Sequence, residues 1–107
     1  MKDSRWGIKA RPECLAIDAA DNLYLGVTGE ITAVLMLDRN LRLTRVIGKK
    51  GPLPFELNTI LAVTESEGLL YLTDLYSVPA VKIFDTSGNY ISGFAGHDIE
   101  EPDLSLP

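Results

Sequence analysis

The chain has 107 residues, 46% of them hydrophobic and 23% charged, ordinary values for a folded domain that exclude a disordered segment. Its formal net charge of −5, with no basic run longer than Lys49-Lys50, excludes the phosphate-neutralising surface that nucleic-acid binding requires. One cysteine, Cys14, cannot close an intrachain disulfide, and its apolar neighbours Leu15 and Ile17 suggest a buried, inert thiol.

Residues 1–6 lack the apolar core of a secretion signal, and the longest near-continuous apolar run, 31–37, is far too short to cross a bilayer. The expectation is a soluble chain with no membrane partner, and the compartment stays open. Residues 1–11 are polar and basic around one large anchor, Trp6, and read as an irregular lead-in or an incomplete edge strand. From Pro12 onward short apolar runs rich in Val, Ile, Tyr and Phe alternate with turn residues, the pattern of strands joined by hairpins. They predict strands over 14–17, 23–26, 31–37 and 41–47, then over 60–63, 69–73, 80–84 and 90–95. A Gly/Pro-rich link, 48–54, separates the two sets. No window sustains apolar spacing of three and four, so no helix is predicted.

The two sets of four are copies of one unit. Leu15-Ala16-Ile17 matches Leu61-Ala62-Val63 at an offset of 46 (15 to 61), and Tyr24-Leu25 matches Tyr71-Leu72 at 47 (24 to 71). Val34 matches Val81 and Leu37-Asp38 matches Phe84-Asp85, both at 47, and Gly48 matches Gly96 at 48 (48 to 96). Offsets drift at turns, where insertions cost least. A period in the forties with four strands per unit is that of a β-propeller blade. The first three strands of each unit are apolar at nearly every position, as expected of a sheet covered on both faces. The fourth is wetter, interrupted by Arg42, Thr44 and Arg45 in one copy and by Ser92 and Gly93 in the other, which suits an outer edge. The first strand would line the central channel, where Ala16 and Ala62 are small enough to fit. The fold class expected is therefore all-β, two four-stranded antiparallel blades, with a lead-in over 1–11, one blade over 12–57 and a second blade with its trailing link over 58–107.

The order Leu-Ala-Ile-Asp, Asp-Asn-Leu-Tyr-Leu and a Val-x-x-Leu-Asp hairpin in residues 15–38 resembles the NHL-repeat class of six-bladed β-propellers. The second copy, with Leu-Tyr-Leu-Thr-Asp, Val-Lys-Ile-Phe-Asp-Thr-Ser-Gly-Asn and Phe-Ala-Gly, is closer still. The resemblance covers roughly residues 12–107 and implies six blades, of which this sequence holds two. It departs from the pattern at Gly26, which stands where the second copy has Asp74. A blade face measures on the order of 300 Å², and leaving it wet forgoes about 8 kcal/mol at about 25 cal/mol per Å². That rivals the stability of a whole domain. The partners expected are therefore further blades, supplied by a homo-oligomer such as a trimer or by a longer parent chain.

Candidate chemistry is sparse. His97, the only histidine, sits in the link after the second unit and would need ligands or partners from other loops to work as a metal ligand or base. Asp18, Asp21 and Asn22, like Asp85, Ser87 and Asn89, lack the spacing of a calcium loop and read as turn formers. No cofactor or metal is expected. Propellers bind at one rim, on the loops joining second to third strands, here 27–30 and 75–78, and on those linking blades, here parts of the two links, which nominates Glu30, Asp74, Tyr76 and His97 as ligand- or partner-binding residues and no residue as catalytic. A structural role for Asp74, satisfying backbone donors at its own turn, competes with a role in binding. The function expected is a non-catalytic module that binds a protein or small molecule as part of a larger or oligomeric propeller. The alternative is a segment of a propeller enzyme of the metal-dependent lactonase or lyase type, whose catalytic residues lie mostly in other blades.

Overall fold

A computed structural model describes residues 2–3 and 8–95, and within them the chain forms two antiparallel sheets and no helix. The first sheet holds β1 (Lys2–Asp3), β2 (Ile8–Ile17), β3 (Leu23–Gly29), β4 (Ala33–Leu37) and β5 (Leu43–Ile47) in that order. The second holds β6 (Thr59–Ser66), β7 (Leu69–Leu75), β8 (Val81–Asp85) and β9 (Tyr90–Phe94). Every strand pairs with its neighbour in sequence, so each sheet is a simple meander. The stretch expected to be an irregular lead-in or an incomplete edge strand carries a two-residue edge strand, β1, and the start of β2, which makes the first sheet five-stranded. Pro12 does not end β2, because the ladder shifts register between Pro12 and Cys14, and a bulge accommodates a residue with no N–H to donate.

The pairing registers show the same unit twice. Leu37 lies opposite Leu23 and Leu43, and Phe84 lies opposite Leu70 and Tyr90, so all three positions recur at 47 (37 to 84, 23 to 70, 43 to 90). Val34 with Gly26 and Ile47 recurs as Val81 with Thr73 and Phe94. Both first strands shift register at matching places, between Pro12 and Cys14 and between Ile60 and Ala62. Both third strands do so between Met36 and Leu37 and between Ile83 and Phe84. The ladders also amend the alignment. Leu15 and Val63 occupy matching rows, opposite Leu25 and Leu72, which places the first strands at 48 (15 to 63) rather than 46. The residue matching Asp74 is Val27, not Gly26, because Gly26 and Thr73 share the row of Val34 and Val81.

Side chains alternate across a strand, and the two sheets use opposite faces to meet. The main buried cluster joins Tyr24, Val34 and Ile47 of the first sheet to Val63, Leu72 and Phe84 of the second. The residues that match Tyr24, Val34 and Ile47 are Tyr71, Val81 and Phe94, and these point away from the first sheet, with Phe94 58% exposed. The residues that match Val63, Leu72 and Phe84 are Leu15, Leu25 and Leu37, and these point away from the second sheet, with Leu15 56% exposed. The units are thus stacked head to tail, one face of the repeat on the other. Gly26 sits where β6 comes closest: a Cβ there would meet Cys14 Sγ at 2.6 Å and Ile60 Cγ2 at 3.0 Å. Thr28 Oγ1 accepts the Ile60 N–H at 3.2 Å at one end, and Arg45 Nη1 donates to the Ser87 carbonyl at 2.8 Å across the same gap.

Expectations for the individual strands hold in part. Within β5, the fourth strand of the first repeat unit, only Ile47 is buried, in keeping with a wet outer strand. Ala16 is half-buried but Ala62 is exposed, since Ala62 lies on the face the first sheet does not cover. Cys14 is half-buried rather than fully buried, and burial pushes its thiol up from the ordinary range.

Three hairpins close on one device. Asp18 Oδ1 accepts the N–H groups of Ala20 and Asn22 at 2.9 and 3.0 Å. Asp38 Oδ1 takes those of Asn40 and Arg42 at 2.8 and 3.0 Å, and Asp85 Oδ1 those of Ser87 and Asn89, both at 2.9 Å. These are side-chain turns that replace missing backbone partners, which is the turn reading of the Asp18 and Asp85 clusters. The bonds favour the charged carboxylates. The Arg42 backbone N–H chiefly lowers the Asp38 carboxyl, and the Asn89 side chain chiefly lowers that of Asp85. Burial works against the Asp18 carboxyl, but donors from Asn22, Tyr24 and Ala20 together hold it below the ordinary value. A folded-state value below the unfolded one stabilises above the unfolded value, about 3.9 for Asp, and is lost as pH falls through the folded value. The urea midpoint should therefore stay level from about pH 7 to 5 and drop below about pH 4. Asp85→Asn, which keeps an acceptor without a charge, should reduce that drop, and an acid-insensitive midpoint in the parent protein would contradict the assignment.

Candidate functional site

The second-to-third-strand connections of both units leave the stack at one end. Thr28 near the end of β3 bonds Ile60, and Ile60 lies opposite Asp74 near the end of β7. Glu30, Asp74 and Tyr76 therefore share one rim, although in different states. His97 lies outside the described residues.

Glu30 is exposed and locks the first connection to β2. Its N–H donates to the Lys9 carbonyl at 2.7 Å, and its Oε1 accepts the Lys9 N–H at 2.9 Å. A Cβ at Gly29 would strike the Lys9 carbonyl oxygen at 2.6 Å with φ at 154°, so a glycine is needed for this closure. Lys9, Arg11, Thr28 and Glu30 border a shallow cavity of about 180 Å³, and Lys50 Nζ reaches the Gly29 carbonyl at 3.2 Å from the link. Three cationic residues, Lys9, Arg11 and Lys50, thus meet two carboxylates at this end, Glu30 and Glu13, and Glu13 Oε2 pairs with the Arg11 guanidinium at 3.2 Å.

Tyr76 is the most solvent-facing large residue of the rim. It is 84% exposed and held at φ 65°, the left-handed region that β-carbon-bearing residues avoid, and Val78 beside it is 52% exposed. An exposed aromatic held in a strained conformation at a loop tip has the features of a contact residue.

Asp74 is different. Its side chain is fully buried and its carboxylate is already occupied. Oδ1 accepts the N–H groups of Asn58 and Thr59 at 3.0 and 2.8 Å, and Oδ2 takes the Lys82 ammonium at 3.1 Å. Lys82, fully buried too, spends its other donors on Ser77 Oγ at 2.7 Å and the Pro79 carbonyl at 2.6 Å. The pair therefore pins the end of the link, the end of β7 and the start of β8 together, and it leaves no acceptor facing solvent. Asp74 is structural, but the backbone donors it satisfies lie at Asn58 and Thr59, at the end of the link, and not at its own turn, and it also neutralises a cation that sequence reasoning missed. A signal for that cation exists: in Val81-Lys82-Ile83-Phe84 strict alternation puts Lys82 on the face of Phe84, inside the core. The matching residues of the first unit are Val27 and Leu35, both buried and apolar.

At the opposite end Asp18 Oδ2 accepts the Tyr24 hydroxyl at 2.8 Å. Burial and this partner together push the Tyr24 phenol well above its ordinary value. Among the described residues no group of three or more His, Cys, Asp or Glu side chains is arranged to hold a metal ion. No protein-family model matches the sequence, and no curated protein is significantly similar to it.

Removing one partner of a buried pair strands the other charge, at a cost of about 3–5 kcal/mol. Asp74→Val should lower stability by an amount in that range. Adding Lys82→Leu, which recreates the Val27 and Leu35 arrangement of the first unit, should recover a large part of the loss; the Asn58 and Thr59 donors remain without their acceptor. A urea-denaturation double-mutant cycle reads this directly, and a double variant no more stable than Asp74→Val would contradict it.

Proposed function

We propose that the chain is a two-blade segment of an NHL-like six-bladed β-propeller and serves as a non-catalytic binding module, engaging a protein or small-molecule ligand at the rim that carries Glu30 and Tyr76. The observation that carries the reading is the head-to-tail stacking of two matching meanders. Rotationally repeated blades stack front to back, whereas a closed sandwich of two sheets buries both apolar faces against each other. Stacking in this sense also brings the same connection of each unit to one end, so loops from successive blades form one surface. Solenoids and propellers use such shared rims for recognition.

Within the rim the roles divide. Asp74 and Lys82 hold the second connection in place, and Tyr76 presents its ring from it. Glu30 is fixed by two bonds to the Lys9 main chain, next to a Gly29 carbonyl that takes the Lys50 ammonium. That combination suits a partner with an aromatic or apolar group next to a polar one.

Amide chemical shifts followed by NMR during titration with capped tripeptides centred on Trp, Lys or Glu test the reading. At least one peptide is expected to shift residues 28–30 and 75–77, and Tyr76→Ala is expected to remove the effect. Shifts confined to the sheet faces, or none at millimolar peptide, would contradict it.

A further inference from the structure

Among the described residues, head-to-tail stacking leaves each sheet one face that the other sheet does not cover, and these two unlike faces are counterparts of the two that already meet inside the chain. On the first sheet Leu15, Leu25 and Leu37 stand in the rows that Val63, Leu72 and Phe84 occupy on the second. Along its midline Val27, Leu35 and Leu37 are buried, flanked by Leu15 at 56%, Leu43 at 44% and Val46 at 48% exposure. On the second sheet Tyr71, Val81, Ile83 and Phe94 stand in the rows of Tyr24, Val34, Met36 and Ile47. The outward pair thus repeats the rows of the inward pair, a face opposite one that carries a tyrosine, with Leu37 standing where Phe84 does.

We infer that a second copy of this chain covers these faces, the second sheet of one copy seating its Tyr71, Ile83 and Phe94 on the Leu15, Leu25 and Leu43 face of the first sheet of the next. The inference rests on the two-blade reading proposed above and adds to it which surface meets which. Three features select a copy of the chain over an unrelated partner. The two faces are complementary to one another and neither resembles itself, so the contact is heterologous and propagates in one direction. The unit-to-unit step is already realised within the chain by the Tyr24 and Phe84 cluster, and an intermolecular contact continues that step. The positions of Asp74 and Lys82 are filled by Val27 and Leu35 on the free face, so no charge would be buried between copies. If each step turns one sixth of a circle, three copies close the ring and leave no face open.

Sedimentation equilibrium over a concentration series tests the inference with two exposed-face variants, Leu15→Glu on the first sheet and Phe94→Glu on the second. The parent chain is expected to rise to three times its monomer mass and stop there. Each variant alone is expected to stay monomeric, having lost one of its two faces. Their equimolar mixture is expected to form a dimer and nothing larger, because one intact face remains on each. A parent chain that is monomeric at every concentration overturns the inference, as does either variant that dimerises alone, which would mean that like faces pair. Leu43→Glu and Ser92→Glu, on the same two faces, replace any variant whose circular dichroism departs from the parent's. A monomeric parent leaves the rim reading standing, because the peptide titration reads the loops and not the faces.

Discussion

The structure depends on the contact between the two sheets, where Tyr24, Val34 and Ile47 meet Val63, Leu72 and Phe84. Burying a residue of this size stabilises by roughly 1.5–3 kcal/mol, and this cluster is the largest body of buried apolar surface that the two sheets share. An isolated two-stranded hairpin is marginal in water, and each meander buries its inner face by meeting the other. The link between them reflects the same requirement. Leu57, fully buried in that cluster, exchanges main-chain bonds with Lys49 and Gly51, so the connecting loop is held from within the core. The proposed function rests on the direction of stacking more than on any single side chain. A front-to-back step places equivalent loops at one end, and with them Glu30 and Tyr76.

Much of the fold is legible in the sequence because the signals are local and repeated. Turn residues at Asp18, Asp38 and Asp85 end the apolar runs, and each carboxylate closes its own hairpin with backbone donors two and four residues on. Strand length is read less well. β2 runs through Pro12 and β6 runs on through Thr64 and Glu65 to Ser66, since ladder pairing with β3 and β7 overrides weak local preference. Offsets drawn from residue likeness also slip by two in the first strands, because Leu, Ala and Val recur too often along a strand to mark a register. The even size of that slip preserves the face each residue occupies.

The rim is legible only in outline. Tyr76 and Glu30 could be nominated from the position of their loops. The state of Asp74 could not, because its partners Asn58, Thr59 and Lys82 are brought to it by tertiary packing. The contrast with Val27 and Leu35 shows how far one repeat can diverge within a fixed backbone: one unit holds this corner with an ion pair and the other with hydrocarbon. A buried pair contributes little net stability against apolar residues of similar volume, and in the second unit its four bonded partners, Asn58, Thr59, Ser77 and Pro79, fix the geometry of the loop that carries Tyr76.

The central claim is the direction of stacking, and nuclear Overhauser contacts between the sheets test it most directly in a monomeric sample of the chain carrying Phe94→Glu. The account predicts contacts from the Tyr24 ring and the Ile47 methyls to the Leu72 and Phe84 side chains, with the Ile83 and Tyr71 side chains in contact with solvent. Contacts instead from Ile83 or Tyr71 to the first sheet, with Phe84 facing solvent, would contradict it.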